Sequence, residues 1–137
     1  MITNPNQDII DRFFALYAER DFQGISEVMT EDVKWFFIGD HPLSGISTGI
    51  REVVGFFDKM GKIMSNSDIR SEKLVTGTNE NYLVECQHIV TNRSDGNNLD
   101  YQVCVLWTFR NRKIAEGKHF FADSQAANSF FSAVANL

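Results

Sequence analysis

The spacing of apolar side chains divides the 137-residue chain into helical and extended stretches. Ile9, Ile10, Phe13, Phe14 and Tyr17 recur at helical intervals with Asp8, Asp11, Arg12 and Glu19 between them, which predicts an amphipathic helix. Its start is marked by Asn4, which can cap, by Pro5 in the first turn, and by Gln7, which can close a capping-box-like pair. Asp21-Phe22-Gln23-Gly24 breaks this helix, and a short one follows over residues 25–29. Residues 33–38 (VKWFFI) read as a strand with little polarity on either face. The run from Gly39 through Asp40, His41 and Pro42 to Gly45 is a loop by its Gly and Pro content. Thr48 can cap the next helix, whose apolar positions Ile50, Val53, Val54, Phe57 and Met60 share one face, and Ser65-Asn66-Ser67 ends it.

The second half of the chain changes period. Residues 69–76 read as a weaker strand and residues 77–80 as a turn. Three long strands follow, YLVECQHIVTN, LDYQVCVLWTFRN and KIAEGKHFFAD. The loop Ser94-Asp95-Gly96-Asn97-Asn98 joins the first two, and a tight turn at Arg110-Asn111-Arg112 joins the last two. Residues 124–137 read as a final helix capped by Asp123 or Ser124. Helix, helix, strand, helix and a four-stranded antiparallel meander describe an α+β domain, one domain over residues 1–137. A long twisted antiparallel sheet can curl around the N-terminal helices and leave an internal pocket between them.

Strand parity assigns faces. Tyr82, Val84, Cys86, Val90, Val103, Val105 and Trp107 are expected on one face, and Leu83, Ile89, Cys104 and Leu106 on the other. A sheet apolar on both sides covers its second face with a partner, so a homodimer through the outer face is expected. The same parity puts Cys86 and Cys104 on opposite faces, which argues against a disulfide; two reduced thiols suit a cytoplasmic protein.

Composition narrows the function classes. Twelve Phe and two Trp point to large side chains lining a core or an apolar cavity. A net charge of −5 with scattered basic residues excludes a nucleic-acid surface. The start MITNPNQD lacks the basic and apolar regions of a signal peptide, and no apolar run is long enough for a membrane span. Glycine-rich phosphate loops, metal-spaced Cys/His clusters and nucleophile elbows are absent from the sequence, so neither a metal nor an organic cofactor is expected.

The order of elements, the loop HPLSG followed by TGIREVVGFF, and the last strand KIAEGKHFFAD running into a helix resemble the SnoaL-like proteins of the ketosteroid-isomerase-like superfamily. The resemblance covers almost the whole chain. It implies the cone-shaped, cystatin-like fold of nuclear transport factor 2, in a superfamily of isomerases, polyketide cyclases, epoxide hydrolases, dehydratases and non-catalytic binders. Aligned on the ketosteroid isomerases, Phe13, Phe36 and Val105 stand where that chemistry needs a Tyr, an Asp base and a protonated Asp. That mechanism is therefore not expected, and neither is the Asp-Arg-Asp set of limonene-type epoxide hydrolases. The SnoaL-type cyclases carry a catalytic Asp near the end of the last strand, where Asp123 lies.

Candidate chemistry follows from parity and from this resemblance. His119 shares the inward face with Ala115, Gly117 and Phe121 and is the first candidate for a general acid or base, with Asp123 beside it; the alternatives are a hydrogen-bonded core histidine and a helix cap. His88 is read inward as well, which puts it roughly 10 Å from His119 across two strand spacings, suited to gripping opposite ends of a small ligand. Tyr17, Trp35, Phe36, Phe57, Tyr101, Trp107 and Phe121 are the expected pocket lining, with core packing as the alternative for each aromatic. Asp40 and His41 sit in the loop at the expected cavity mouth and are read chiefly as turn residues. The expected function is a cofactor-free isomerase, cyclase or lyase acting by proton transfer on an apolar ligand. A non-catalytic ligand-binding domain and a dimeric interaction module filled by its own aromatic rings are the alternatives.

Overall fold

The computed structural model describes residues 4–134, so the expected end of the last helix at residues 135–137 lies outside the described residues. Along the described chain run α1 (Pro5–Ala18), α2 (Phe22–Val28), β1 (Met29–Phe37), β2 (Gly45–Thr48), α3 (Ile50–Ser65), β3 (Arg70–Thr78), β4 (Tyr82–Val90), β5 (Asp100–Arg110), β6 (Lys113–Phe121) and α4 (Ser124–Val134). Asn4 caps α1 as expected, its side-chain oxygen accepting from the backbone N–H groups of Asn6 and Gln7. The capping box does not form, because the Gln7 side chain donates to Asp11 instead, at 3.0 Å. Thr48 does not cap α3. It ends β2, and Gly49, at φ 87°, takes the cap position without a side-chain bond. The short strand β2, in a turn-rich stretch, had no period of its own to read.

The six strands form one curved sheet in the order β2-β1-β6-β5-β4-β3. The meander β3 to β6 is antiparallel throughout, as its sequence pattern predicts. β1 joins it in parallel alongside β6, which brings the N-terminal half against the last strand. The β5–β6 turn has Asn111 at φ 54° and Arg112 at φ 61°. Two successive left-handed residues are what a two-residue hairpin needs to match strand twist.

The β4–β5 register corrects the expected faces. Leu83 stands opposite Trp107, Glu85 opposite Val105, Gln87 opposite Val103 and Ile89 opposite Tyr101. Directly opposed residues share a face. Leu83, Glu85, Gln87 and Ile89 therefore face inward, while Tyr82, Val84, Cys86, His88 and Val90 face outward, the reverse of the expected parity for β4. Cys86 and Cys104 are direct partners with Cα atoms 4.1 Å apart, and they are disulfide-bonded. The expectation of two free thiols on opposite faces is thus wrong, and the compartment argument built on it falls too. Among the described residues no helix is long and apolar enough to cross a membrane.

The concave face of the sheet carries the core. Ile10 and Phe13 of α1, Val53, Val54 and Phe56 of α3, and Phe130 and Phe131 of α4 bury against Val33, Trp35, Phe37, Leu83, Val103, Val105 and Trp107. The parallel register sets Trp35 beside Gly117, and the indole lies directly over that glycine. A Cβ at Gly117 would fall among Cζ3, Cε3 and Cη2 of the Trp35 ring, and the nearest rigid neighbour has no room to yield. Gly117→Ala should lower the unfolding free energy by about 2–3 kcal/mol in urea denaturation, the scale of overpacking in a filled core. Trp35→Leu in the same chain should recover part of that loss, which distinguishes ring collision from a backbone effect.

Candidate functional site

Three strands and one helix converge on one imidazole. Alternation along β1 turns Trp35 and Phe37 inward, and a β-bulge past the β5–β6 turn, where Phe109 pairs with Ile114 but Thr108 with Glu116, sets His119 opposite Val105 and Phe121 opposite Val103. The His119 ring lies 4.8 Å from the Phe37 ring centroid, 5.6 Å from Trp35, 6.0 Å from Phe121 and 6.2 Å from Phe56. Both of its ring nitrogens are buried and have no hydrogen-bond partner, and the same is true of the indole Nε1 of Trp35. Burial among aromatic carbon without a counter-charge pushes the His119 pKa down to about 3. The ring is therefore neutral at physiological pH and offers one N–H donor and one acceptor nitrogen. A general acid or base is instead best matched to the working pH.

The other expected pocket residues divide sharply. Tyr101, Trp107 and Phe121 face inward, with the Tyr101 and Phe121 rings stacked at 5.5 Å; burial raises the Tyr101 hydroxyl pKa. Phe57 joins them from α3 through contacts with Phe13 and Trp35. Phe36 does not: it pairs with Lys118 on the outer face, and the Lys118 ammonium sits 5.0 Å from its ring centroid. His88 also faces outward, with Nε2 at 2.6 Å from the Asp100 carboxylate, so it cannot grip a ligand together with His119. Asp123 is exposed and accepts the Ala126 N–H at 3.0 Å, which makes it the cap of α4 and turns it away from His119. Tyr17 packs its ring on Phe13 but donates its hydroxyl to Asp58 at 2.8 Å, where Arg20 also pairs with that carboxylate. Its hydroxyl thus bridges α1 to α3 and does not enter the interior.

Two features escaped the sequence reading. His41, weighed there as a loop residue, packs between Phe37 at 5.4 Å and Phe131 at 5.1 Å. Its Nδ1 accepts the Leu43 N–H at 3.2 Å, and its Nε2 is buried without a partner. Since Nδ1 accepts, the neutral ring carries its proton on Nε2. Burial lowers this pKa too, against the opposing charge of Asp40. Glu85 and Gln87 are the second feature. They face inward on β4, where Gln87 donates to Glu85 at 2.6 Å and Lys73 lies 3.4 Å from the same carboxylate. Their signal in the sequence was Leu83 and Ile89, which bracket them at the same parity. Among the described residues no three His, Cys, Asp or Glu side chains gather in a metal-holding group.

A cavity of about 620 Å³ opens where the 42–43 loop, the second half of α3, Arg93 and the end of α4 meet. Pro42, Leu43, Ile63 and Val134 supply its apolar wall, and Lys59, Lys62, Asn66 and Arg93 its polar one. Leu43, in its lining, also donates its backbone N–H to His41.

Residues 10–117 match the SnoaL-like domain family. The chain belongs to that family. It is 25% identical over 133 residues to the uncharacterized protein Rv0034 of Mycobacterium tuberculosis, covering 96% of this chain and 100% of that one. The structure of Bal32a, from a soil-derived mobile gene cassette, superposes with a TM-score of 0.74 at 20% identity, covering 93% of this chain and 96% of Bal32a. An NTF2-like protein from Burkholderia xenovorans superposes with a TM-score of 0.73 at 19% identity, over 96% and 98% of the two chains. The fold of this SnoaL-like chain is thus the NTF2-like cone. Within it, the inward residues near the end of β1 are Trp35 and Phe37, and Val105 stands opposite His119. Neither place supplies a carboxylate.

The neutral His119 has a thermodynamic signature. Its folded pKa is depressed below the unfolded value of 6.5, so its contribution to stability is fully present above pH 6.5 and is lost as pH falls toward about 3. Over that window stability should decline by at most about 1.4 kcal/mol per pH unit for this one proton. Urea titrations of the wild type and His119→Phe between those limits should show a shallower decline in the variant. Equal slopes would mean that His119 titrates normally.

Proposed function

We propose that this SnoaL-like protein binds a small, largely apolar, ring-bearing molecule in the cone interior, held by a hydrogen bond from a ligand oxygen or N–H to the neutral imidazole of His119. One observation carries this reading: both His119 nitrogens are buried and unpartnered in a wall of aromatic rings. A buried polar group without a partner costs about 1–3 kcal/mol, so it marks a place where a bound molecule's polar atom is favoured. Aromatic lining with few polar groups is the usual make-up of a small-molecule site.

A second reading is supported by Trp35. Its Nε1–H is an unpartnered buried donor within the same ring cluster as His119. Two preorganised donors in a dry site can stabilise oxygen charge as it develops. That is the form in which isomerase, cyclase or lyase turnover fits this chain: His119 acts as a neutral hydrogen-bond donor, and proton transfer falls to another group. The partners once expected for proton transfer, Asp123 and His88, are a helix cap and an outer-face residue.

The outer sheet face supports self-association. The cross-strand row Ile46, Phe36, Lys118, Leu106 and Val84 lies beside a second row of Phe120, Cys104, Cys86 and Val75. Ile46, Phe120 and Val75 are each more than half exposed. A second copy presenting the same nearly uncharged band is the occupant we propose, since a twofold interface needs only one self-complementary patch. Phe120→Lys would place a charge at the centre of that band. Sedimentation velocity should show a dimer for the wild type and a monomer for the variant, and a wild type that is monomeric at micromolar concentration removes this part of the reading.

Ligand binding is checked with matched probes. Tryptophan fluorescence titrations should give tetralone at least about tenfold higher affinity than naphthalene, the scale of one buried hydrogen bond. His119→Phe should erase that difference while keeping naphthalene affinity. If neither ring saturates the wild type, the interior is not a ligand site.

A further inference from the structure

The cavity at the wide end is lined by cations and by no carboxylate among the described residues. The protein carries 18 acidic against 13 basic residues, yet the lining holds Lys59, Lys62 and Arg93 and no carboxylate. Arg93 is already engaged. Its Nε and Nη2 donate to Asp95 and its Nη1 donates to Ser67 at 2.8 Å, with the side chain almost fully buried. Hydrogen bonding to the Asp95 carboxylate raises the Arg93 pKa further, and the same bond holds the Asp95 pKa down to about 2. Arg93 therefore forms a rigid rim post that is largely charge-neutralised, with two of its five N–H donors still free. Lys59 and Lys62 differ. Both are exposed, they stand one turn apart on α3, and neither takes part in an ion pair among the described residues.

Pro42, Leu43, Ile63 and Val134 line the same cavity as these lysines, and its volume of about 620 Å³ is in the range of small-molecule sites. An apolar lining shared with a pair of unpaired cations is complementary to an amphipathic anion. We propose that the wide-end cavity binds the anionic end of a carboxylate-, sulfonate- or phosphate-bearing ring compound, with Lys59 and Lys62 as the charge partners, the two free N–H groups of Arg93 as fixed donors, and the ring against Pro42, Leu43, Ile63 and Val134. The inference rests on the ligand-binding reading and adds the ligand's charge. Neither lysine is among the rings around His119, so the two readings are probed by different substitutions.

The test compares anilinonaphthalene sulfonate with phenylnaphthylamine, which keeps the rings and lacks the sulfonate. Both are followed by probe fluorescence on the full chain. The wild type should bind the sulfonate probe more tightly than the uncharged one, and the preference should shrink in roughly 0.5 M salt, where screening is almost complete within a few ångströms. Lys59→Gln combined with Lys62→Gln should weaken the sulfonate probe about tenfold and change the uncharged probe by less than about twofold. Arg12→Gln combined with Lys34→Gln makes the same charge change at exposed positions elsewhere on the surface and should leave both probes unaffected. The proposal is overturned if the wild type ignores the sulfonate, if the α3 pair weakens both probes alike, or if the control pair has the same effect as the α3 pair. Each of those outcomes leaves the tetralone result at His119 standing. Failure of tetralone to bind with the lysine effect intact would instead confine the ligand to the wide-end cavity.

Discussion

The interior depends on one close approach, that of the Trp35 ring to the backbone of Gly117. β1 and β6 are neighbours only because the N-terminal strand pairs in parallel with the last strand of the meander, and the register puts the indole over the one position in that row with no side chain. With Trp35 seated, its ring meets Trp107 edge-on at 4.9 Å and Phe57 at 4.8 Å. Those contacts fix the faces of α3 and β5 that look into the cone. Edge-to-face pairs of this kind add about 0.5–1.5 kcal/mol each beyond the area they bury. Their larger consequence is positional: the rings leave His119 a slot with aromatic edges on several sides and no oxygen within reach.

That slot decides what chemistry is open to the chain. Superfamily mechanisms that move protons rely on carboxylates whose environments set their affinities apart. Here the inward positions around His119 hold Trp35, Phe37, Val105 and Phe121, and the nearest inward carboxylate on the meander, Glu85, lies two strands away and is tied to Gln87 and Lys73. An imidazole with its pKa near 3 is a feeble base at neutral pH and gives up no proton as an acid, because it holds no extra one. What remains is hydrogen bonding in a low-dielectric site, where one well-aimed donor is worth more than it is in water. His41 follows the same pattern, a neutral ring with its free N–H buried and its other nitrogen used to hold a turn.

The contrast between His119 and His88 shows where the sequence was legible. β5 and β6 are joined by a two-residue turn, but that turn alone would set Val105 opposite Lys118; a β-bulge at Ala115 shifts the pairing by one residue and brings His119 to the inward face that parity along β6 expects. β4 and β5 are joined by a nine-residue connection, which allows either parity. β4 itself is ambiguous, since Tyr82, Val84 and Cys86 make as good an apolar row as Leu83 and Ile89. A one-residue slip moves every side chain to the other face, and it misplaced both His88 and Cys86 together. The run WFF on β1 hid its parity in the same way, which is why Phe36 was read inward although it lies under Lys118. Helix positions, the meander and the cap at Asp123 rest on local rules and were readable. The parallel pairing of β1 and the cavity beside Arg93 depend on contacts between segments far apart in the chain, and no local pattern encodes those.

The cationic rim at the wide end acts within a chain of net charge −5, and this limits how it can work. An approaching anion at a distance meets the overall negative field. At physiological ionic strength that field and the field of the lysines are both damped over about 8 Å. Lys59 and Lys62 therefore do little to gather anions from solution, and their effect begins at contact. Differences in affinity between related complexes lie mostly in the lifetime of the complex. Under the proposed anion site, selection at this mouth is then a matter of retention: a ring whose charge settles on α3 stays longer than a neutral one, whatever the rate at which either arrives.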